Sequence, residues 1–262
     1  MSNARLPAIF LSHGSPMLAV EDSPAGHFLD GLGDALPRPR AVVVASAHFM
    51  TDAPTVGSDA APKTVHDFGG FPAALYQLQY PAAGQQDLAQ QIAERMQAAG
   101  AAVRTRPQQG LDHGVWVPLR RMYPQADIPV VPLSVMPHRS AAEHYAIGQA
   151  LAGLRDDGVL LIGSGGFVHN LGELDRGMDS APMPAWAREF RDWMRAKIAA
   201  RDIDALLDWQ AQAPHARRAH PSVEHLMPLF VALGAAGEDF SVRHLHDSHQ
   251  YGSLALDAFA FG

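Results

Sequence analysis

The chain has 262 residues, 47% of them hydrophobic, which is enough apolar material for one large domain or two small ones. Its formal net charge of -7, without a basic stripe, argues against nucleic acid as a partner. The sequence has no cysteine, which excludes disulfides, thiolate metal sites and cysteine nucleophiles, and no run of about 18 apolar residues indicates a membrane-spanning helix.

Short apolar runs bounded by turn residues predict the strands. The stretch before the first run lacks the apolar region of a signal peptide, so we expect a cytoplasmic protein. Several runs are apolar on both faces, which is typical of parallel strands covered by helices. The predicted strands span residues 8–12, 41–47, 103–106, 130–135, 159–163 and 242–246.

Helix signals lie between these strands. Ser23 and Pro24 are typical of an N-cap followed by a first-turn proline. Ser140 and Glu143 have the spacing of a capping box, and Pro228 is expected to kink the last helix. The predicted helices span about residues 24–32, 85–99, 140–154, 184–200 and 222–233.

The alternation of strands and helices predicts an α/β fold. We expect one domain over residues 1–262, with a central, largely parallel sheet flanked by helices. Residues 51–81 have few helix signals and several glycines and prolines, and they are expected to form a long ordered loop with a functional role. Ligands of such sheets bind beyond the carboxyl ends of the strands, so the site is expected there.

Three of the 14 histidines follow predicted strands, directly or after a short turn: His13, His48 and His169. A single histidine at such a position is more often a hydrogen-bonded core residue than a ligand, and the spacings match no short metal motif. Neutral imidazole is, however, the commonest metal ligand, and all three strand ends are expected at one sheet edge. The sequence therefore predicts a metal site at the C-terminal ends of the strands.

Glu224 and His225 are predicted in the first turns of the last of these helices. Because neighbouring residues on a helix point about 100° apart, one of the two can face the site. His220 precedes this helix and is expected at the surface.

His113 follows Asp112 at the start of a short amphipathic helix. A histidine backed by an acid at a helix start can donate a proton or bind an anion, although a histidine that caps a turn fits the spacing equally well. In the long loop, His66, Phe68 and Phe71 suggest a tight turn with aromatic edges. That turn is either structural or the wall of an aromatic pocket.

Other chemistries lack their motifs. No GxGxxG follows the first strand and no GxxxxGK[ST] is present, so binding of nucleotide phosphates is unsupported. Ser164 does not lie in a GxSxG elbow, which leaves a serine hydrolase with little support.

Seven segments together resemble the class III extradiol ring-cleavage dioxygenases, in particular the DOPA 4,5-dioxygenase type. Each segment alone is only suggestive, but they follow one another in order through most of the chain. They are "FLSHGSPM" (10–17), "VVVASAHF" (42–49), "HDFGGFPAALY" (66–76), "GLDHGVWVPL" (110–119), "MYPQADIPVVPLS" (122–134), "GSGGFVHNL" (163–171) and "EHLMPLF" (224–230).

The resemblance implies a mononuclear non-haem metal site with His13 and His48 as ligands. Fe(II) is expected for activity, and Zn(II) can occupy such a site after purification. The wider class completes the site with a glutamate, to give two histidines and one carboxylate. This sequence offers both Glu224 and His225 at that place, and we favour His225.

The resemblance also implies roles around the metal. His169 matches a histidine that acts as acid or base and can also bind the metal, and His113 matches one that contacts the substrate or oxygen. The residues expected to hold the substrate ring are His66, Phe68, Phe71 and Tyr76.

The implied reaction is ring opening of a DOPA-like or caffeate-like catechol with O2, by a monomer or small homo-oligomer. One rival interpretation is a zinc-dependent hydrolase on the same scaffold, since four histidines and an activated water would support hydrolysis. A second rival is a non-enzymatic binding module in which the metal only stabilises the fold. The metal distinguishes the three interpretations. Activity with Fe(II) and O2 indicates the dioxygenase, and activity with Zn(II) but not with Fe(II) and O2 indicates the hydrolase. A protein that unfolds on metal removal and never shows activity indicates the binding module.

Overall fold

Apolar, largely β-branched runs form the centre of the structure, a computed structural model that describes residues 5–175 and 182–262. They build an eight-stranded sheet in the order β4-β3-β5-β2-β6-β1-β10-β7. The strands are β1 (Ala8–Ser12), β2 (Ala41–Met50), β3 (Thr55–Gly57), β4 (Arg104–Arg106), β5 (Val130–Val135), β6 (Val159–Gly165), β7 (Val242–His246) and β10 (Ala258–Phe261). A separate pair joins β8 (His249–Gln250) to β9 (Leu254–Ala255).

The centre of the sheet is parallel, as predicted. Strands β5, β2, β6 and β1 pair in parallel, in this spatial order. The antiparallel strands lie outside this centre: β3 pairs with β5, β10 pairs with β1, and β7 pairs with β10. Short strands β3, β8, β9 and β10 have no counterpart among the predicted strands, because two to four residues carry almost no period-two pattern. Strand β3 also interrupts the loop predicted over residues 51–81.

Helices cover both faces of the sheet. They are α1 (Pro24–Ala35), α2 (Gln86–Ala98), α3 (His113–Met122), α4 (Ala141–Leu151), α5 (Ala185–Ala200), α6 (Ile203–Leu207), α7 (Trp209–Gln212), α8 (Ala216–Ala219) and α9 (Met227–Ala236). Alternate residues of β1 enter different cores, because successive side chains of a strand point to opposite faces. Phe10 packs with the cluster that includes α9, and Ile9 packs with the cluster that includes α1 and α3.

Local signals account for several of these helices. The Ser23 hydroxyl accepts a hydrogen bond from the backbone N–H of Gly26 and caps α1. Ser140 and Glu143 form the predicted capping box at the start of α4. No helix within the two described ranges is long and apolar enough to cross a bilayer.

The helix predicted over residues 222–233 is wrong at both ends. Residues 221–226 form bends and turns, and α9 begins at Met227. Pro228 lies in its first turn, where the missing proline N–H costs nothing, so it opens the helix instead of kinking it. Glu224 and His225 therefore lie in a turn, and the helix continues past Gly234 to Ala236.

Candidate active site

Neighbouring parallel strands bring the predicted histidines to one edge of the sheet. His13 follows β1 directly, and its backbone N–H donates to the carbonyl of Gly165 at 3.0 Å. His48 lies inside β2, which continues to Met50 and not to residue 47 as predicted. His169 follows β6 after a short turn, as the sequence indicates.

The turn before α9 brings His225 to the same place. The backbone N–H of Gly166 donates to the carbonyl of His225 at 2.8 Å. A Cβ atom on Gly165 would lie only 2.1 Å from that carbonyl oxygen, so this close approach requires glycine. The glycines that end β6 thus fix the backbone of His225 against the sheet.

The Nε2 atoms of three histidines converge. His48 Nε2 lies 3.1 Å from His13 Nε2 and 3.3 Å from His225 Nε2. Burial lowers the pKa of His13 and His225 well below the ordinary value, and burial together with His113 lowers the pKa of His48 to about 3. The three imidazoles are therefore neutral at pH 7.

Hydrogen bonds on the other ring nitrogens set the tautomers of two of them. His13 Nδ1 lies 3.0 Å from the Ser164 hydroxyl oxygen, and this hydroxyl donates to the carbonyl of Gly114. His225 Nδ1 lies 2.9 Å from Glu224 Oε1. Both Nδ1 atoms are thus donors, and both Nε2 atoms carry lone pairs.

This donor set fits a metal ion. A neutral imidazole binds a metal ion through a nitrogen lone pair, and the Nε2 atoms of His13 and His225 carry such lone pairs beside His48 Nε2. At metal–nitrogen distances of about 2.0–2.1 Å, tetrahedral geometry separates two nitrogens by about 3.3 Å, close to the separations observed. The outer hydrogen bonds of His13 and His225 are of the kind that orients ligating histidines.

His169 and His113 flank these three rings. The His169 ring stacks on His225 with ring centroids 3.4 Å apart and an interplanar angle of 7°, and burial lowers the pKa of His169 to about 4. The ring centroid of His113 lies 3.9 Å from that of His48. Ligand atoms of His13, His48 and His113 lie within 4.8 Å of one another, as do those of His169, Glu224 and His225.

The acid that holds His113 is Asp67, which the sequence analysis missed. Asp67 Oδ1 accepts the backbone N–H of His113 at 2.9 Å, and Oδ2 lies 3.0 Å from His113 Nδ1. Burial alone would raise the pKa of Asp67, but the hydrogen bond from His113 lowers it below the ordinary value. The only signal was the position of Asp67 beside His66 in the long loop.

Asp112, the acid expected behind His113, has a different partner. The Ser46 hydroxyl donates to Asp112 Oδ1 at 2.6 Å, and burial raises the pKa of Asp112 to about 6. Asp112 is thus a buried partner of Ser46, and the carboxylate that holds His113 is that of Asp67.

A cavity of 680 Å³ opens in front of the histidines. Phe68 and Phe71, which the sequence analysis expects to hold the substrate ring, line this cavity. His66 and Tyr76 are not among its lining residues: His66 packs edge-on against Phe68 at 5.7 Å, and the Tyr76 hydroxyl accepts the N–H of Phe71 at 3.4 Å. They support the aromatic wall from behind.

His220, expected at the surface, is buried instead. Its Nε2 lies 3.1 Å from the carbonyl of Phe167, and its ring packs edge-on against Trp209. The prediction was wrong because the rings of Phe190 in α5 and Trp209 in α7 pack against His220, and the four-residue helix α7 left no clear signal in the sequence.

Fold and site together define a class: a metal-dependent enzyme with a single α/β domain and a histidine cluster at the C-terminal edge of its sheet. Residues 7–259 match the family described as the catalytic LigB subunit of aromatic ring-opening dioxygenase, and the chain belongs to this class III extradiol dioxygenase family. It is an extradiol aromatic ring-opening dioxygenase, with a catechol and O2 as substrates. The comparisons give no support to the hydrolase alternative.

Curated relatives and a solved structure agree with this assignment. A 4,5-DOPA dioxygenase extradiol of Beta vulgaris is 41% identical over 96% of this chain and 95% of its own length. One from Escherichia coli K12 is 39% identical over 100% of this chain and 97% of its own length. The crystal structure of an uncharacterized Escherichia coli K12 protein superposes with a TM-score of 0.83 at 35% identity, covering 98% of this chain and 100% of that one.

Proposed function

We propose that this protein opens the ring of a catechol that carries a side chain, as DOPA and caffeate do, at a ferrous ion held by His13, His48 and His225. The observation that supports the proposal most directly is the convergence of three Nε2 atoms: that of His48 lies 3.1 Å from that of His13 and 3.3 Å from that of His225. The names of the relatives, 4,5-DOPA dioxygenase extradiol, support the substrate class and cleavage between positions 4 and 5.

The proposed third ligand is His225, with Glu224 as the residue that orients it. Glu224 Oε1 lies 2.9 Å from His225 Nδ1, which leaves His225 Nε2 directed at His48 Nε2. This is the common arrangement of a carboxylate behind a ligating histidine. A carboxylate used in this way supports His225 over Glu224 as the ligand.

Three protein ligands leave coordination positions open, and a ferrous ion bound there supplies binding positions for the catechol oxygens and O2 together with redox chemistry. The His169 ring stacks on that of His225, so a fourth imidazole is available as a metal ligand. Four nitrogen ligands suit tetrahedral Zn(II), which we propose as an inactive occupant after purification.

The proton transfers are assigned to the two flanking histidines. His169 is neutral and lines the cavity, so it can accept the proton of a catechol hydroxyl. The contact with Asp67 makes His113 Nδ1 a donor and leaves Nε2 to hold a proton and return it to the reacting oxygen. Phe68 and Phe71 hold the ring in the cavity and exclude water from it.

The test is oxygen consumption by protein loaded anaerobically with Fe(II), and in parallel with Zn(II), on a panel of catechols that includes DOPA and caffeate. We expect O2 uptake and a new near-visible absorbance from the ring-opened semialdehyde with Fe(II) only. No uptake with any catechol, or ester or amide hydrolysis with Zn(II) alone, would overturn the proposal.

A cytoplasmic location and a monomeric or small homo-oligomeric state belong to the same proposal. The cysteine-free sequence is compatible with a reducing compartment. Cell fractionation and light scattering test the two statements.

A further inference from the structure

Three buried serines lie side by side on neighbouring parallel strands close to the histidines. Ser46 of β2 pairs in register with Ser164 of β6 and with Ser134 of β5. Since residues paired in this way point to the same face of a sheet, the three side chains form a row across it. Two of the hydroxyls contact proposed metal ligands: Ser164 contacts the ring of His13, and Ser46 contacts the backbone of His48.

Ser46 holds the backbone of His48 where β2 departs from regular pairing. Residues 47–49 bulge out of the pairing with β5, because Ser46 and Met50 pair with adjacent residues of that strand. Bulges beside active sites change the direction of a side chain, here that of His48. The Ser46 hydroxyl accepts the backbone N–H of His48 at 3.2 Å, so a side chain takes the place of a neighbouring strand. Ser46 thus fixes the backbone from which the His48 ring projects into the site.

The same hydroxyl joins His48 to helix α3. Ser46 donates to Oδ1 of the buried Asp112 at 2.6 Å, and Asp112 directly precedes α3. A Cβ atom on Gly114 would lie 2.7 Å from the Ser46 hydroxyl oxygen, so the start of α3 packs closely on this serine. The contact therefore connects the strand of His48 to the helix of His113, and the ring centroids of these histidines are 3.9 Å apart.

We propose that Ser46 and Asp112 act together as a positioning pair that directs His48 at the metal and keeps His113 beside it. This inference rests on the proposed function, because His48 is a proposed ligand and His113 a proposed proton donor. A hydroxyl that donates one hydrogen bond and accepts another is fixed in rotation, so it holds both partners in place. Without it, the buried Asp112 Oδ1 would lose its donor, and the bulge that carries His48 would relax.

The experiment measures Zn(II) affinity by competition with a chelator. Ser46→Ala should weaken Zn(II) binding about tenfold or more, the usual effect of losing a group that supports a metal ligand. Ser134→Ala is the matched control in the same row, because its hydroxyl accepts the N–H of Thr55 at 2.8 Å and the hydroxyl of Thr51 at 2.7 Å instead of contacting a histidine. It should leave Zn(II) affinity unchanged. Equal Zn(II) affinities in the two variants would overturn the proposal.

Two variants of Asp112 separate the hydrogen bond from the charge, and they also test the proposal if Ser46→Ala does not fold. Asp112→Asn keeps an oxygen that can accept the Ser46 hydroxyl, whereas Asp112→Ala removes it. We expect Zn(II) affinity to fall about tenfold in Asp112→Ala and much less in Asp112→Asn. Equal losses in both would mean that Asp112 acts through its charge, and the positioning role would be wrong.

A double variant tests whether the two residues act together. Ser46→Ala combined with Asp112→Ala should bind Zn(II) about as weakly as the weaker single variant, because both changes remove the same hydrogen bond. Losses that multiply would contradict a joint role. O2 uptake with a catechol by the Fe(II)-loaded wild type is measured in parallel. The expected Zn(II) affinities without any O2 uptake would overturn the proposed function and support the positioning role, whereas O2 uptake with unchanged Zn(II) affinity in Ser46→Ala would overturn the positioning role alone.

Discussion

Asp67 binds His113 at two points, the backbone N–H at 2.9 Å and the ring Nδ1 at 3.0 Å. The residues are 46 positions apart, and the contact joins the long loop to the first turn of α3. One carboxylate thus fixes the place of His113, its ring orientation and its tautomer. Asp67 Oδ2 also lies 3.5 Å from His48 Nδ1, so the same side chain is near a proposed metal ligand.

Asp67→Asn should lower kcat about 100-fold with little change in KM, which is the usual size of a general acid–base contribution. A neutral amide cannot stabilise a protonated His113 as a carboxylate does. The measurement is steady-state O2 uptake at matched iron content, since the contact with His48 makes the iron content a necessary check. The exposed Asp52 lies before β3, away from His113 in the sequence, and Asp52→Asn should retain full activity. Unchanged kcat in Asp67→Asn would remove Asp67 from the proton-transfer role.

Glu224→Gln should weaken metal binding by roughly 10–100-fold, the usual effect of losing a carboxylate behind a ligating histidine. The amide can still accept the hydrogen bond from His225 Nδ1, but without the negative charge that makes the ring a better ligand. Competition with a chelator gives the affinity directly. Glu238→Gln removes an exposed carboxylate elsewhere and serves as the control. A complete loss of bound metal in Glu224→Gln would instead indicate Glu224 itself as the ligand.

Gly165→Ala should reduce both stability and metal affinity. The new Cβ would lie 2.1 Å from the carbonyl oxygen of His225, so the turn that carries this histidine must move away from β6. We expect a loss of about 1–3 kcal/mol in the free energy of unfolding, the usual cost of overpacking, from urea titration of the metal-free protein.

Gly31 provides the matched control for that substitution. It lies in α1, and a Cβ there would meet no atom within 4 Å. Gly31→Ala should therefore stabilise the protein by about 0.5–1 kcal/mol, because glycine loses more conformational freedom in a helix than alanine. Equal effects at Gly31 and Gly165 would exclude the close approach as the cause.

The sequence was most informative about features that depend on local pattern. The parallel strands, the capping box at Ser140 and the placement of His13 and His48 on neighbouring parts of the sheet follow from apolar runs and turn residues. Asp67 and Ser164 could not be found in this way, because their contacts with His113 and His13 span 46 and 151 residues. Only the folded loop and sheet bring these pairs together.

His220 should make stability depend on pH. Burial lowers its pKa to about 3, below the ordinary value of 6.5, so between these values the unfolded chain binds a proton that the folded chain does not. Stability from this group is present above pH 6.5 and is lost as the pH falls towards 3, by about 1.4 kcal/mol for each pH unit. His220→Gln retains a donor for the carbonyl of Phe167 but does not titrate. Between pH 6 and 4, urea unfolding of the metal-free variant should show a slope smaller by about that amount, and an unchanged slope would mean that His220 is protonated in the folded state.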